Sequence, residues 1–334
     1  MAERTLQDIA EQNKRLTIAK INKNTEEKAE AYYNLGRDYC FLEDFHRAIE
    51  YLKQYLSIAD DVGDRAGAGR AYGRLGCAYG SLGDSQREME YHNQELRIAK
   101  EVGDREWQGC AYGNLGCAYQ SLKEFQQAIE CHNQHLSIAK EIGNRKCQGT
   151  AYGQLGYNYM RLDEYQRAIE YTNKGLIIAK EVGNRAVQLQ GYDNLGLIYK
   201  ILGEYQRVIE YTNKGLIIAK EVGDREWQGC AYDKLGYAYQ SLNEFQQAIE
   251  CHNQHLSIAK EIGNRGCQGK AYGQLGYNYM RLEEYQRAIE YINKGLIIAK
   301  EVGDREWQGC AYDKLGYAYP VSYTHLTLPT KRIV

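Results

Sequence analysis

The 334-residue chain has no surplus of either charge: 42 Lys and Arg against 44 Asp and Glu leave a formal net charge of −2. That balance removes any global signal for nucleic acid or an anionic membrane surface. Long apolar runs are also missing, and the longest stretches fall far short of the roughly 20 residues a bilayer span needs. The N-terminus, MAERTLQDIAEQNKRL, has no signal-peptide core. Catalytic motifs are absent too. GDRAGAG, at Gly63–Gly69, is glycine-rich and opens a helix. It nonetheless lacks the preceding strand, the G-x-G-x-x-G spacing and the G-K-[ST] ending of a phosphate loop. No G-x-S-x-G element occurs. These absences predict a cytoplasmic, non-enzymatic protein with no cofactor and no membrane insertion.

Ten cysteines are present, without a C-x-x-C pair, and several recur at equivalent places: Cys77 and Cys117; Cys110, Cys230 and Cys310; Cys131 and Cys251; Cys147 and Cys267. Equivalent sites in stacked helical units lie about 10 Å apart, beyond the ~7 Å Cα separation a disulfide tolerates. Reduced thiols in a core or groove are the expectation.

The period of 40 residues organises everything else. Tyr32, Tyr72, Tyr112, Tyr152, Tyr192, Tyr232, Tyr272 and Tyr312 form one column, and Leu35 to Leu315, Gly36 to Gly316 and Tyr39 to Tyr319 form three more. A fixed period of this size marks a solenoid. Each unit reads as two helices. In Asp104–Gly143, Asp104 suits an N-cap, with Glu106 in the first turn. Ala111, Tyr112, Leu115, Gly116 and Tyr119 keep helical spacing. A polar break at Leu122–Glu124 leads into a second helix carrying Phe125, Ala128, Ile129, Leu136 and Ala139, and Gly143 closes it at positive φ. Gly116 has a different role, letting the facing helix approach closely. Trp107, Trp227 and Trp307 share one position and are expected to pack between units. Residues 101–185 and 221–305 differ at few positions, Asn114 against Lys234 and Cys117 against Tyr237 among them, which points to a recent tandem duplication.

Tyr112-x-x-Leu115-Gly116-x-x-Tyr119 followed by Ala128 resembles the tetratricopeptide repeat, over about Asn24–Tyr319. The repeats depart from the generic motif in being 40 rather than about 34 residues long and in lacking its closing proline. With the Gly-Asp-Arg or Gly-Asn-Arg joint, they look like the long-repeat group of Pins/LGN-type G-protein-signalling modulators and tetratricopeptide repeat protein 28. The fold this implies is all-α, a right-handed α-α superhelix of antiparallel helix pairs. Residues 1–23 read as a capping helix, since Glu11, Gln12 and Arg15 stand where later units carry Tyr51, Leu52 and Tyr55. Asn24 and Glu27 form a capping box opening seven units over 24–303. Residues 304–319 supply the first helix of an incomplete eighth. In 320–334 the pattern vanishes, and both prolines of the chain lie there. That tail is expected to be disordered or foreign to the protein.

CHNQH, at Cys131–His135 and Cys251–His255, is the sharpest candidate for metal chemistry, because histidines three apart share a helical face. The equivalent segments YTNKG and YHNQE keep no ligand set, so a half-buried helix face is expected and no metal. The opposite face of the first helices is more informative. One column reads Asn34, Arg74, Asn114, Gln154, Asn194, Lys234, Gln274, Lys314, with no acid in it. Adjacent columns add Arg37, Arg70, Arg161, Lys270 and Arg281, with Glu30 the lone acid. Flanking positions bring Lys200 and the acids Asp193, Asp233 and Asp313. Tyr157, Tyr237, Tyr277 and Tyr317 place flat amphipathic rings beside these charges. The resemblance places this stripe on a concave groove and implies that its amide and basic column contacts extended partner segments. Amides pair with a ligand's backbone while Arg and Lys hold carboxylates, so the expected function is an adaptor binding extended, acidic peptide segments. The alternative is the regulatory arm of a larger protein with G-protein-binding motifs or a caspase-like domain elsewhere. The basic column is too sparse for nucleic acid. Self-association is left open.

Overall fold

The helical pattern is carried through every unit of the computed structural model, whose backbone is described for residues 2–327 and whose side chains are described for 4–319. Two compact units divide between Asn184 and Arg185. The first holds α1 (Ala2–Asn22), α2 (Thr25–Phe41), α3 (Phe45–Val62), α4 (Arg65–Ser81), α5 (Ser85–Val102), α6 (Arg105–Ser121), α7 (Phe125–Glu141), α8 (Arg145–Arg161) and α9 (Tyr165–Glu181). The second holds α10 (Arg185–Ile201), α11 (Tyr205–Val222), α12 (Arg225–Ser241), α13 (Phe245–Glu261), α14 (Arg265–Arg281), α15 (Tyr285–Glu301) and α16 (Arg305–Thr327). No strand occurs among the described residues, so the fold is all-α. α16 runs past Tyr319, the last residue of the repeat pattern; the rest of the expected tail, 328–334, lies outside the described residues.

The ends of the helices follow from side-chain chemistry. Asp104 accepts a hydrogen bond from the Trp107 backbone N–H, and Asp64, Asp224, Asn144 and Asn264 do the same for their own helices. Each satisfies a donor that the first helical turn leaves unpaired. Gly143 adopts φ +70° where α7 ends, as its position predicts. The turn inside each repeat holds a feature the residue types conceal. Glu43, Lys123, Asp163, Asn243 and Glu283 all take positive φ, where Gly83 and Gly203 stand in sister repeats. A side chain in that region costs about 1 kcal/mol or more. Replacing Lys123 by glycine relieves that strain, less the entropy glycine adds to the unfolded chain, and is expected to stabilise the protein by about 0.5–1 kcal/mol, read as a rise in the urea midpoint of unfolding.

Packing repeats with the period. Leu35, Leu75 and Leu155 in the first unit, and Leu195 and Leu275 in the second, are wholly buried. Tyrosines of paired helices stack: Tyr79 on Tyr91 at 5.3 Å and 5°, Tyr199 on Tyr211 at 5.4 Å and 8°. Gly116 permits the close approach expected of it, since a Cβ there would lie 2.5 Å from the His132 ring. Trp107 lies against Gly69, and Trp307 against Gly273 and Gly295, so these indoles do bridge successive helix pairs. At the joints, Arg65 pairs with Glu101, Arg105 with Glu141 and Arg145 with Glu181; Arg185–Glu221, Arg225–Glu261 and Arg265–Glu301 repeat the scheme in the second unit. These exposed pairs are worth little individually.

Candidate functional site

The face of the first helices turned away from the tyrosine–leucine core carries the predicted binding columns. Contacts between successive first helices show that the columns run side by side within each unit. Arg74 Nε donates to Tyr33 Oη at 2.9 Å, and Gln120 Nε2 to Gln154 Oε1 at 3.0 Å. In the second unit Gln240 Nε2 repeats that bond to Gln274 Oε1 at 3.0 Å, and Lys234 pairs with Asp193. Each of these bonds joins two first helices of the same unit.

In the first unit the row is half-open and mixed. Asn34 and Asn114 are half-buried, and the Asn114 amide reaches Glu95 Oε2 at 3.4 Å. Arg37 is held by its neighbour Asp38 at 2.8 Å, while Arg70 is exposed. Arg74 lies over the Tyr33 ring at 5.3 Å. Arg161 sits 4.6 Å over the Phe125 ring and donates to Tyr157 Oη at 2.7 Å.

The second unit carries two adjoining hollows on this face. One, of about 280 Å³, is lined by Gly196, Leu197, Lys200, Asp233, Lys234, Tyr237, Lys270 and Gln274. The other, of about 300 Å³, shares Tyr237 and Gln274 and adds Tyr277 and Lys314. Lys200 lies 4.2 Å over Tyr237, Lys314 5.7 Å over Tyr277, and Arg281 4.6 Å over Phe245. Cations over aromatic rings gain from the ring quadrupole without losing their charge. Among the described residues, Lys200, Arg281 and Lys314 form no ion pair.

Three site expectations change. Lys234 and Lys270 are not free bases, because Asp193 holds the first and Asp233 Oδ2 holds the second at 2.5 Å. Asn194 does not join the exposed row: it is buried, beside the Asp193 that draws Lys234 back from the next helix. The CHNQH histidines are buried rather than half-buried, because small residues on the facing helix, Gly113 and Gly116 in the first copy, leave room for their rings. The thiols of that motif turn the other way, into apolar clusters. Cys131 packs with Leu96, Ala111 and Leu115, and Cys251 against Leu216, Ala231 and Leu235. Burial pushes both thiols up to about 11.

Buried polar groups line the seam between paired helices. On α5, Glu88, His92 and Glu95 fill the spaces over Gly80, Gly76 and Gly73. His92 Nδ1 meets Glu95 Oε2 at 2.9 Å, and Trp107 Nε1 donates to Glu95 Oε1 at 3.1 Å. Burial alone would depress the His92 imidazole, but hydrogen bonds with Cys77 and Glu95 outweigh it and hold the ring at about 9. In the next repeat the same position holds His132, whose neighbour one turn on is His135 instead of glutamate. Burial, with the second histidine adding to it, pushes His132 down to about 3. In the second copy of CHNQH a carboxylate joins the histidines. Ligand atoms of Asp233, His252 and His255 lie within 4.8 Å of one another. Spacing along α13 reveals the two histidines, but the third group arrives from α12.

Three tetratricopeptide repeat family models match the chain, one over 27–101 and 90–141, one over 231–266 and one over 149–180 and 269–301. No curated protein sequence matches it. Among solved structures, the apo form of the quorum sensor NprR from B. thuringiensis superposes with a TM-score of 0.65 at 18% identity, over 87% of this chain and 83% of that one. Aspartyl phosphate phosphatase F from Bacillus subtilis gives 0.63 at 18%, over 85% and 73%. A Rap protein complexed with competence and sporulation factor gives 0.57 at 17%, over 83% and 76%. At these identities the likeness is one of fold.

Proposed function

We propose that this chain, which belongs to the tetratricopeptide repeat family, is a protein-interaction scaffold that binds extended, acidic peptide segments along its first-helix face. One observation carries the reading. In the second unit Lys200, Arg281 and Lys314 stand over aromatic rings, without carboxylate partners among the described residues; Lys200 and Lys314 line two adjoining hollows, and Arg281 donates to Oη of Tyr277 in the second of them. An extended peptide laid there meets cations for its carboxylates, ring faces for its apolar side chains and the Gln274 amide for its backbone. In the first unit Asn34, Arg74, Asn114, Gln154, Tyr157 and Arg161 offer the same chemistry more thinly. Two solved neighbours of the fold support the reading by what they are, a quorum sensor and a Rap protein complexed with a factor. The 40-residue spacing and the Gly-Asp/Asn-Arg joint favour the long-repeat, Pins/LGN-type group within the family.

The narrowed set of bases makes a specific test. Reversing Lys200, Arg281 and Lys314 together to glutamate is expected to weaken binding of a glutamate-rich peptide at least tenfold, measured by fluorescence anisotropy. Reversing the already paired Lys234 alone is expected to change affinity by much less. Equal effects from both variants would contradict the assignment.

A further inference from the structure

We propose that Asp233, His252 and His255 form a site for a divalent transition-metal ion of the zinc class, built, among the described residues, only in the repeat that spans 224–263. The two imidazoles come from one face of α13 and the carboxylate from the packed helix α12, and their ligand atoms already lie within 4.8 Å of one another. His252 is fully buried and His255 nearly so. Neither nitrogen of His252, nor Nδ1 of His255, has a hydrogen-bond partner among the described residues. Buried polar atoms are rarely left in that state. Two imidazoles and a carboxylate are ligands zinc accepts, with bonds of about 2.0–2.2 Å that set tetrahedral ligand atoms roughly 3.4 Å apart. His255 Nδ1 and Asp233 Oδ1 stand at 3.6 Å, close to that separation.

The surroundings suit such a site. Lys270 Nζ holds Asp233 Oδ2 at 2.5 Å and leaves Oδ1 to the histidines, as an outer partner that orients a ligating carboxylate does. Asp233 and Lys270 also line the 280 Å³ hollow, so a fourth ligand, water or a donor group of a bound molecule, can enter from that side. A site with three protein ligands and one open position is the arrangement zinc uses where it does more than hold a fold.

The duplication provides an internal control. The sister repeat keeps both histidines, His132 and His135, but has Gly113 where Asp233 stands and Thr150 where Lys270 stands. A Cβ built on Gly113 would lie 3.0 Å from His135 Nδ1, so this position points at the histidine pair in that copy as well. Asp193, one repeat earlier, pairs with Lys234, and its repeat carries Thr212 and Gly215 where the histidines would be. One ion per chain is the expected stoichiometry.

The test is titration of the chelator-treated full chain with zinc chloride by calorimetry, and with cobalt chloride by absorption. The wild type should bind one ion. Asp233→Gly, which installs the residue of the sister repeat, and Asp233→Asn, which keeps the shape, should each bind at least tenfold more weakly with unchanged helicity. Gly113→Asp should create a second site. Undiminished binding in both Asp233 variants, or no binding by the wild type, would overturn the proposal. A thiolate-to-cobalt charge-transfer band would overturn it as well, by assigning the ion to cysteines.

Discussion

Glu95→Ala is expected to cost about 3–5 kcal/mol, the penalty for removing one partner of a buried charge pair. Among the described residues it is the carboxylate that meets the protonated His92, at 2.9 Å, and it also accepts from the Trp107 indole at 3.1 Å. Alanine would leave that N–H without its acceptor and the buried imidazolium without its carboxylate. The pair also carries a pH signature. With its folded value at about 9 against the ordinary 6.5, His92 binds its proton more tightly in the folded chain. The stability this confers is fully present below about pH 6.5 and is lost as pH rises through 9, about 3 kcal/mol in all. Denaturant melts should show the gap between wild type and Glu95→Ala wide at pH 6 and much reduced at pH 9.5. Hydrogen exchange should place the loss in α5 and α6. A gap that is independent of pH would mean that His92 is neutral in the folded protein.

One repeat further on the sign reverses. His132 is held at about 3 by burial, so the folded repeat favours the neutral ring. A depressed folded value means that the unfolded chain takes up the proton first. The stability is intact above about pH 6.5 and falls as the solution is acidified toward 3. By pH 4.5 the expected loss is about 2–3 kcal/mol from this residue alone. His132→Thr adopts the residue found at the equivalent Thr172 and Thr212. It should flatten that acid limb while changing stability little at pH 7.5. Retention of the full acid sensitivity in the variant would assign the effect to other groups.

The contrast between these two histidines shows how far the sequence can be read. Both occupy one column, and the difference that meets the ring is the residue one turn on, glutamate in YHNQE and histidine in CHNQH. The letters contain that difference. Its consequence depends on burial, which follows from the glycines of the facing helix. The repeat length, the helix pairs, the caps at Asp104 and its equivalents, and the close approach at Gly116 were legible because each is a local or strictly periodic property. The pairing of Lys234 with Asp193 and of Lys270 with Asp233 was not, since it joins residues 41 and 37 positions apart on different helices. The burial of Asn194 was hidden for a similar reason: its column is half-open in most repeats and closed only beside one of those pairs. The place of Asp233 beside the histidines is hidden likewise, because it depends on how α12 packs against α13. The positive φ at Lys123 escaped because residue type gives no sign of it there, although Gly83 and Gly203 mark the same turn in sister repeats.

The central claim is that the first-helix face, with Lys200, Arg281 and Lys314 forming no ion pair among the described residues, selects acidic extended segments. The most direct measurement compares three unstructured peptides of equal length, one glutamate-rich, one neutral and one lysine-rich, binding to the full chain at low and at high salt. The account predicts tightest binding for the acidic peptide, with a preference that shrinks as salt screens the exposed charges. Equal affinities for all three, or a preference untouched by salt, would contradict it.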